Sequence, residues 1–132
     1  MATTHRIFVV EDEEMIRDSL VEFLDEHGYE AVGAAHGRDA LDKLAASDLL
    51  PCLILLDLMM PVMDGRSFRE EQLQTPALAA IPVVVFSAYR DVAKTAGELN
   101  AAGHLAKPLN LATLLQTVRR HCSNGAPAPV PA

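Results

Sequence analysis

Short apolar runs, each stopped by a polar residue, alternate along this chain with longer amphipathic stretches. Ile7-Phe8-Val9-Val10 is rich in β-branched residues and predicts a first strand. Leu53-Ile54-Leu55-Leu56 and Val83-Val84-Val85-Phe86 are unbroken apolar runs that end at Asp57 and Ser87, the pattern of strands buried on both faces. Tyr29 to Ala35 gives a weaker second strand, and His104-Leu105-Ala106 a short fifth one ending at Lys107-Pro108. Between them lie helical stripes. Ile16, Leu20, Phe23 and Leu24 fall on one face of a first helix, stopped by Gly28 in a left-handed turn. Ala40, Leu41, Leu44 and Ala45 stripe a second, after a His36-Gly37 turn in which His36 is expected on the solvent side. A polar stretch from Arg66 to Gln74, anchored by Phe68 and Leu73, predicts a third, interrupted at Thr75-Pro76. Asp91 is placed to cap a fourth, with Val92, Ala96 and Leu99 inward, Gly97 inside it and Asn100 at its end. Asn110 caps the last, striped by Leu111, Leu114, Leu115 and Val118.

A β-α order repeated five times implies an α/β fold with a parallel sheet and helices on both faces. Right-handed crossovers then bring the C-terminal ends of all the strands to one edge, where open α/β sheets bind ligands. Glu11 and Asp12 end the first strand, Asp57 the third, Ser87 the fourth and Lys107 the fifth, so the chemistry-bearing residues share that edge. Taken alone, Asp57 is equally well read as an aspartate capping the turn before Pro61 and Asp64-Gly65. Glu13 and Glu14 suit the positive end of a helix, whereas Glu11 and Asp12 sit too early for that role.

Composition narrows the function. A chain of 132 residues, half of them hydrophobic, suits one folded domain. Its net charge of −7 argues against a nucleic-acid surface. No apolar stretch approaches the ~20 residues a membrane span needs, and no signal peptide is visible. Cys52 and Cys122 form no metal or redox spacing and read as free thiols of a cytoplasmic protein. Three carboxylates in one crevice call for a cation, and oxygen donors without His or Cys suit Mg²⁺. A lysine and a hydroxyl beside that cluster suit phosphoryl transfer, with Asp57 as the nucleophile.

The chain resembles the receiver domain of bacterial two-component response regulators, from about residue 5 to 122, with a Pro/Ala-rich flexible tail at 123–132. The resemblance rests on the acid pair Glu11-Asp12, on Asp57 within Leu-Leu-Asp-Leu-Met-Met-Pro-Val-Met-Asp-Gly, on Ser87-Ala88 and on Lys107-Pro108. It implies a flavodoxin-like, doubly wound sheet of five strands in the order 2-1-3-4-5 with five helices. It implies phosphorylation of Asp57 by a sensor histidine kinase or histidine phosphotransfer protein. Mg²⁺ would be held by Asp12, Asp57 and the Met59 carbonyl, with Glu11 assisting through water. Ser87 and Lys107 would bind the phosphoryl group. His104 falls where the family has a switching aromatic residue; it either fills that slot, with a charge change around pH 6–7, or is an exposed strand-end histidine. Met59 and Tyr89 fall where the family flanks the path of the hydrolytic water, and their bulk is expected to slow loss of the phosphate. The fourth helix, fifth strand and fifth helix would carry the signal to a protein target.

Several positions depart from the commonest pattern: Glu11 for Asp, Ser87 for Thr, His104 for Tyr or Phe, and Asn100 for Gly near a shortened fourth helix. The expectation is a stand-alone receiver with no output domain and no turnover chemistry beyond its own phosphorylation and dephosphorylation. A receiver-like module that binds partners without phosphorylation is one alternative. A small Mg²⁺-dependent aspartyl phosphatase is another, disfavoured because such enzymes place a second acid where this chain has Met59. A nucleotide-binding flavodoxin-like module is disfavoured by acids where a glycine-rich loop belongs.

Overall fold

The structure is a computed structural model and describes residues 5–88 and 91–122. Its elements alternate as β1 (Arg6–Val10), α1 (Glu14–Glu26), β2 (Glu30–Ala34), α2 (Gly37–Ala46), β3 (Leu53–Asp57), α3 (Gly65–Gln74), α4 (Pro76–Ala79), β4 (Val83–Ser87), α5 (Val92–Glu98), β5 (Gly103–Ala106) and α6 (Leu111–Cys122). The five strands are all parallel in the order β2-β1-β3-β4-β5. The expected fold class and strand order are therefore observed. The helices number six, because Thr75-Pro76 does not end helical structure but restarts it: Pro76 opens α4, where its missing N–H loses nothing.

Alternate residues of the central strands feed two cores, because successive side chains of a strand face opposite ways. Phe8, Val10, Ile54, Leu56, Val83 and Val85 pack beneath α2, α3 and α5. Ile7, Val9, Leu53, Leu55, Val84 and Phe86 pack beneath α1 and α6. All five residues of β3 are buried, and so are all five of β4. Burial on both faces is why these strands read as unbroken apolar runs. Helix ends follow the chemistry of their residues. Gly28, at φ 93°, closes α1, and Asn100, at φ 55°, follows α5. Asp64 and Asn110 accept hydrogen bonds from the Ser67 and Thr113 amides at 2.8 and 3.0 Å, capping α3 and α6.

Four local expectations are corrected. Leu73 is exposed, and the buried positions of α3 beside Phe68 are taken by Arg69 and Gln72. The Arg69 guanidinium donates to the Leu99 and Asn100 carbonyls at 2.9 and 2.8 Å and to Gln72 Oε1 at 2.7 Å. The Gln72 amide in turn donates to the Leu78 and Ile81 carbonyls. Polar side chains are retained there because they satisfy buried chain ends. Asp91 precedes α5 but makes no capping hydrogen bond. His36 is not a bystander: its Nδ1 accepts from the Asp39 amide at 3.2 Å and caps α2. Cys52 and Cys122 are not free thiols but are joined in a disulfide, 70 residues apart in sequence. The fold brings their Cα atoms to 5.4 Å, a separation normal for such a bond.

Candidate functional site

The parallel sheet delivers its strand ends to one edge, and the expected residues meet there. Asp57 is the last residue of β3 and is 2 % exposed. Its Oδ1 accepts the Met59 amide at 3.2 Å, and its Oδ2 lies 3.5 Å from Lys107 Nζ. Glu11, fully buried, follows β1 and receives Lys107 Nζ on Oε1 at 3.0 Å and the Glu13 amide on Oε2 at 2.9 Å. Its carboxylate, and not that of Glu13, meets the start of α1. Asp12 is exposed beside them, and carboxylate oxygens of Glu11, Asp12 and Asp57 all lie within 4.8 Å of one another. Ser87 ends β4, buried, and its carbonyl accepts the Lys107 amide at 2.9 Å, which ties the lysine to the same edge. The cleft above has a volume of about 330 Å³ and is lined by Asp12, Asp57, Met59, Ser87, Ala88 and Lys107, with Glu13 at its edge.

Charge explains much of this arrangement. Burial and the neighbouring Glu11 charge, with a further push from Asp12, raise the Asp57 carboxyl to about 7, against the pull of the Met59 amide and Lys107. For Lys107, burial works against the charge, but the Glu11 hydrogen bond and the two carboxylates outweigh it and hold the ammonium above its ordinary range. The ammonium also stands 5.2 Å from the centre of the Phe86 ring, which faces it with the negative side of its π-system.

Gly65 supports the acceptor. A Cβ there would stand 2.8 Å from the Asp57 carbonyl oxygen and 2.9 Å from the Leu58 Cα, so only glycine lets the start of α3 pack onto the end of β3. Three supporting residues had no signal in the sequence. Arg17 donates to the Glu11 carbonyl at 2.9 Å while its stem crosses Gly33; Phe86 lies beneath Lys107; Met63 packs where a side chain at position 37 would be. His104 lies on β5 opposite Val85 with its side chain exposed, and it is not among the residues that line the cleft. Met59 is half-exposed at the cleft rim. Tyr89 lies outside the described residues, as does the segment at 123–132.

Comparison with known proteins gives the class of this site. Residues 7–119 match the family model of the response regulator receiver domain, and the chain belongs to that family, whose members serve two-component signalling. It is 37 % identical over 115 residues to response regulator RR06 of Streptococcus pneumoniae, covering 86 % of this chain and 51 % of that protein. Chemotaxis protein CheY4 of Vibrio cholerae superposes with a TM-score of 0.81 at 29 % identity, over 90 % of this chain and 99 % of that one. The response regulator TrrA of Thermotoga maritima, solved with Mg²⁺ and BeF, superposes with a TM-score of 0.77 at 29 % identity, over 89 % and 98 % of the two chains. The chain spans about half the length of the curated relatives it matches. Among the described residues no helix is long and apolar enough to cross a membrane.

Proposed function

We propose that this chain is a phosphoacceptor switch of a cytoplasmic phosphorelay, with Asp57 as the acceptor. The observation that carries this reading is Asp57 at the floor of an open cleft, 3.5 Å from Lys107 and within the carboxylate cluster. An Asp57 carboxylate oxygen attacks the phosphorus of a phosphohistidine from the far side of its P–N bond. The acyl-phosphate O–P bond forms as the P–N bond breaks, and the bonding pair leaves with the imidazole of the donor, which takes up a proton from water. Lys107 neutralises charge on the equatorial oxygens, and the Ser87 hydroxyl serves as a donor to the same group.

The donor set fits a hard cation. It is made of oxygen ligands, and burial together with the repulsion of Glu11 and Asp12 raises Asp57, an energetic penalty that a cation would offset. Asp12, Asp57 and the Met59 carbonyl would hold Mg²⁺, with Glu11, already engaged by Lys107 and the Glu13 amide, in a water-mediated role. Bound there, the ion would offset the charge gathered on the transferred phosphoryl group.

The donor would be a sensor histidine kinase or a histidine phosphotransfer protein. An apolar groove of about 720 Å³ adjoins the cleft through Ala88 and Lys107 and is walled by Met15, Ile16, Pro108 and Leu111. A helix of the donor seated there would bring its histidine to Asp57. Output would pass to a protein target through the face formed by α5, β5 and α6, and the chain would catalyse only its own phosphorylation and dephosphorylation.

Intact-mass spectrometry after incubation with acetyl phosphate tests the reading. A Mg²⁺-dependent gain of one phosphoryl group, absent from Asp57→Asn, is the expected result. No gain from acetyl phosphate or from any phosphohistidine donor, in a protein that still binds Mg²⁺, would favour a receiver that works by partner binding alone.

A further inference from the structure

We propose that the Cys52–Cys122 disulfide is a reversible redox clasp on the last turn of α6. Cys52 directly precedes β3, whose other end is Asp57, and Cys122 is the final residue of α6. In that last turn Arg119 and Arg120 are exposed and His121 is half-buried; Cys122, at 2 % exposure, is its one buried side chain. The next inward anchors, Leu114 and Val118, lie a turn or more earlier. The turn is therefore held to the sheet chiefly by this bond, and cutting the bond frees it to fray.

Both redox states are provided for. The Arg6 carbonyl accepts the Cys52 amide at 2.8 Å, which fixes the Cys52 backbone whatever its sulfur does. The same carbonyl lies 3.4 Å from Cys52 Sγ, placed to accept the S–H of the reduced thiol. Cys52 is half-buried and Cys122 fully buried, so exchange enters at Cys52. One thiolate of a dithiol reductant attacks Cys52 Sγ, the bond between the two cysteines breaks, and Cys122 leaves as a thiolate and takes a proton. The second thiol of the reductant then attacks the mixed disulfide and releases Cys52. Two protein thiols and one cyclic disulfide result. A low-molecular-weight disulfide such as oxidised glutathione drives the reverse. In a reducing compartment, protein disulfides are chiefly those that sense or exchange, and this one ties down the point from which the chain continues to residues 123–132.

The test compares the wild-type chain in oxidised and reduced glutathione with the chain in dithiothreitol, by native alkylation with iodoacetamide, thermal unfolding and amide hydrogen exchange. The oxidised protein should take no label and the reduced protein two. Reduction should lower Tm by roughly 5–10 °C and speed exchange severalfold in the end of α6 while leaving β3 protected. Oxidised glutathione should restore the starting values. Cys52→Ala should show the Tm and the exchange of the reduced protein in every buffer, with at most one label; if it does not fold, the wild-type arms stand alone. Two labels in the oxidised protein, exchange at the end of α6 indifferent to dithiothreitol, or a bond that fails to reform would each overturn the proposal.

Discussion

Lys107 reaches Glu11 more closely than Asp57: its Nζ stands 3.0 Å from the Glu11 carboxylate and 3.5 Å from that of Asp57. Glu11 thus acts on the acceptor both directly, through its charge, and indirectly, by holding the lysine. Glu11→Gln keeps an acceptor for Lys107 and removes the charge. Less repulsion should lower the apparent pKa of Asp57 by about one unit, read from ¹³C shifts of the carboxyl groups in metal-free buffer. An unmoved titration would mean that Glu11 does not govern the acceptor.

Stability should carry the same signature. The folded-state carboxyl of Asp57 titrates at about 7 against an ordinary value of 3.8. Between those values the folded state binds a proton that the unfolded chain has released, so the metal-free protein loses stability as pH rises through this window and levels off above it. The loss is on the order of 4 kcal/mol. Asp57→Asn lacks the carboxyl and should not show it. Urea unfolding of the two proteins should therefore diverge from pH 4 to 7, with the variant the more stable at pH 8, and Mg²⁺ should narrow the gap. Parallel pH profiles would contradict the placement of Asp57 among buried like charges.

How far the sequence discloses this molecule depends on how local each cause is. β3 and β4 were legible because burial on both faces writes itself as an unbroken apolar run. Asp57 and Ser87 were legible because each ends such a run, and Lys107 because it follows the short fifth strand. The pairing of Glu11 with Lys107 spans 96 residues, and the disulfide spans 70, so neither leaves a spacing to read. α3 misled for a related reason. Arg69 and Gln72 look like solvent-facing residues until the carbonyls they satisfy, 30 and 31 residues further along the chain for Arg69 and 6 and 9 for Gln72, are in place.

Arg69 gives that last point a test. Its described partners are two carbonyls at the end of α5 and the Gln72 side chain, with burial pulling its pKa down. Arg69→Met keeps the stem and removes the donors, which leaves buried carbonyls unpaired at about 1–3 kcal/mol for the site. The loss should appear in urea midpoints, and hydrogen exchange should locate it in α5, where a small-residue core of Val92 and Ala96 offers little else to hold the helix. A loss spread evenly over the domain would show that Arg69 does not anchor that helix.

Val62, in the loop after Asp57, has φ 65°, and the Met63 amide bonds back to the Pro61 carbonyl at 2.6 Å. That is a γ-turn with a β-branched residue in the left-handed region at its centre, a strained combination. The strain persists because the turn sets Met63 against α2: the Met63 carbonyl accepts the Gly37 amide at 3.0 Å, and the Met63 side chain fills the space over Gly37. Val62 itself is 78 % exposed and has little packing to lose. Val62→Gly should relieve about 1–2 kcal/mol of backbone strain against roughly 0.5–1 kcal/mol for the added freedom of the unfolded chain. A net gain of about 0.5–1 kcal/mol in urea unfolding is expected, with Val62→Ala near wild type because alanine keeps the Cβ. If glycine destabilised the protein while alanine did not, the γ-turn would not be a point of strain, and the valine side chain would not explain the difference either.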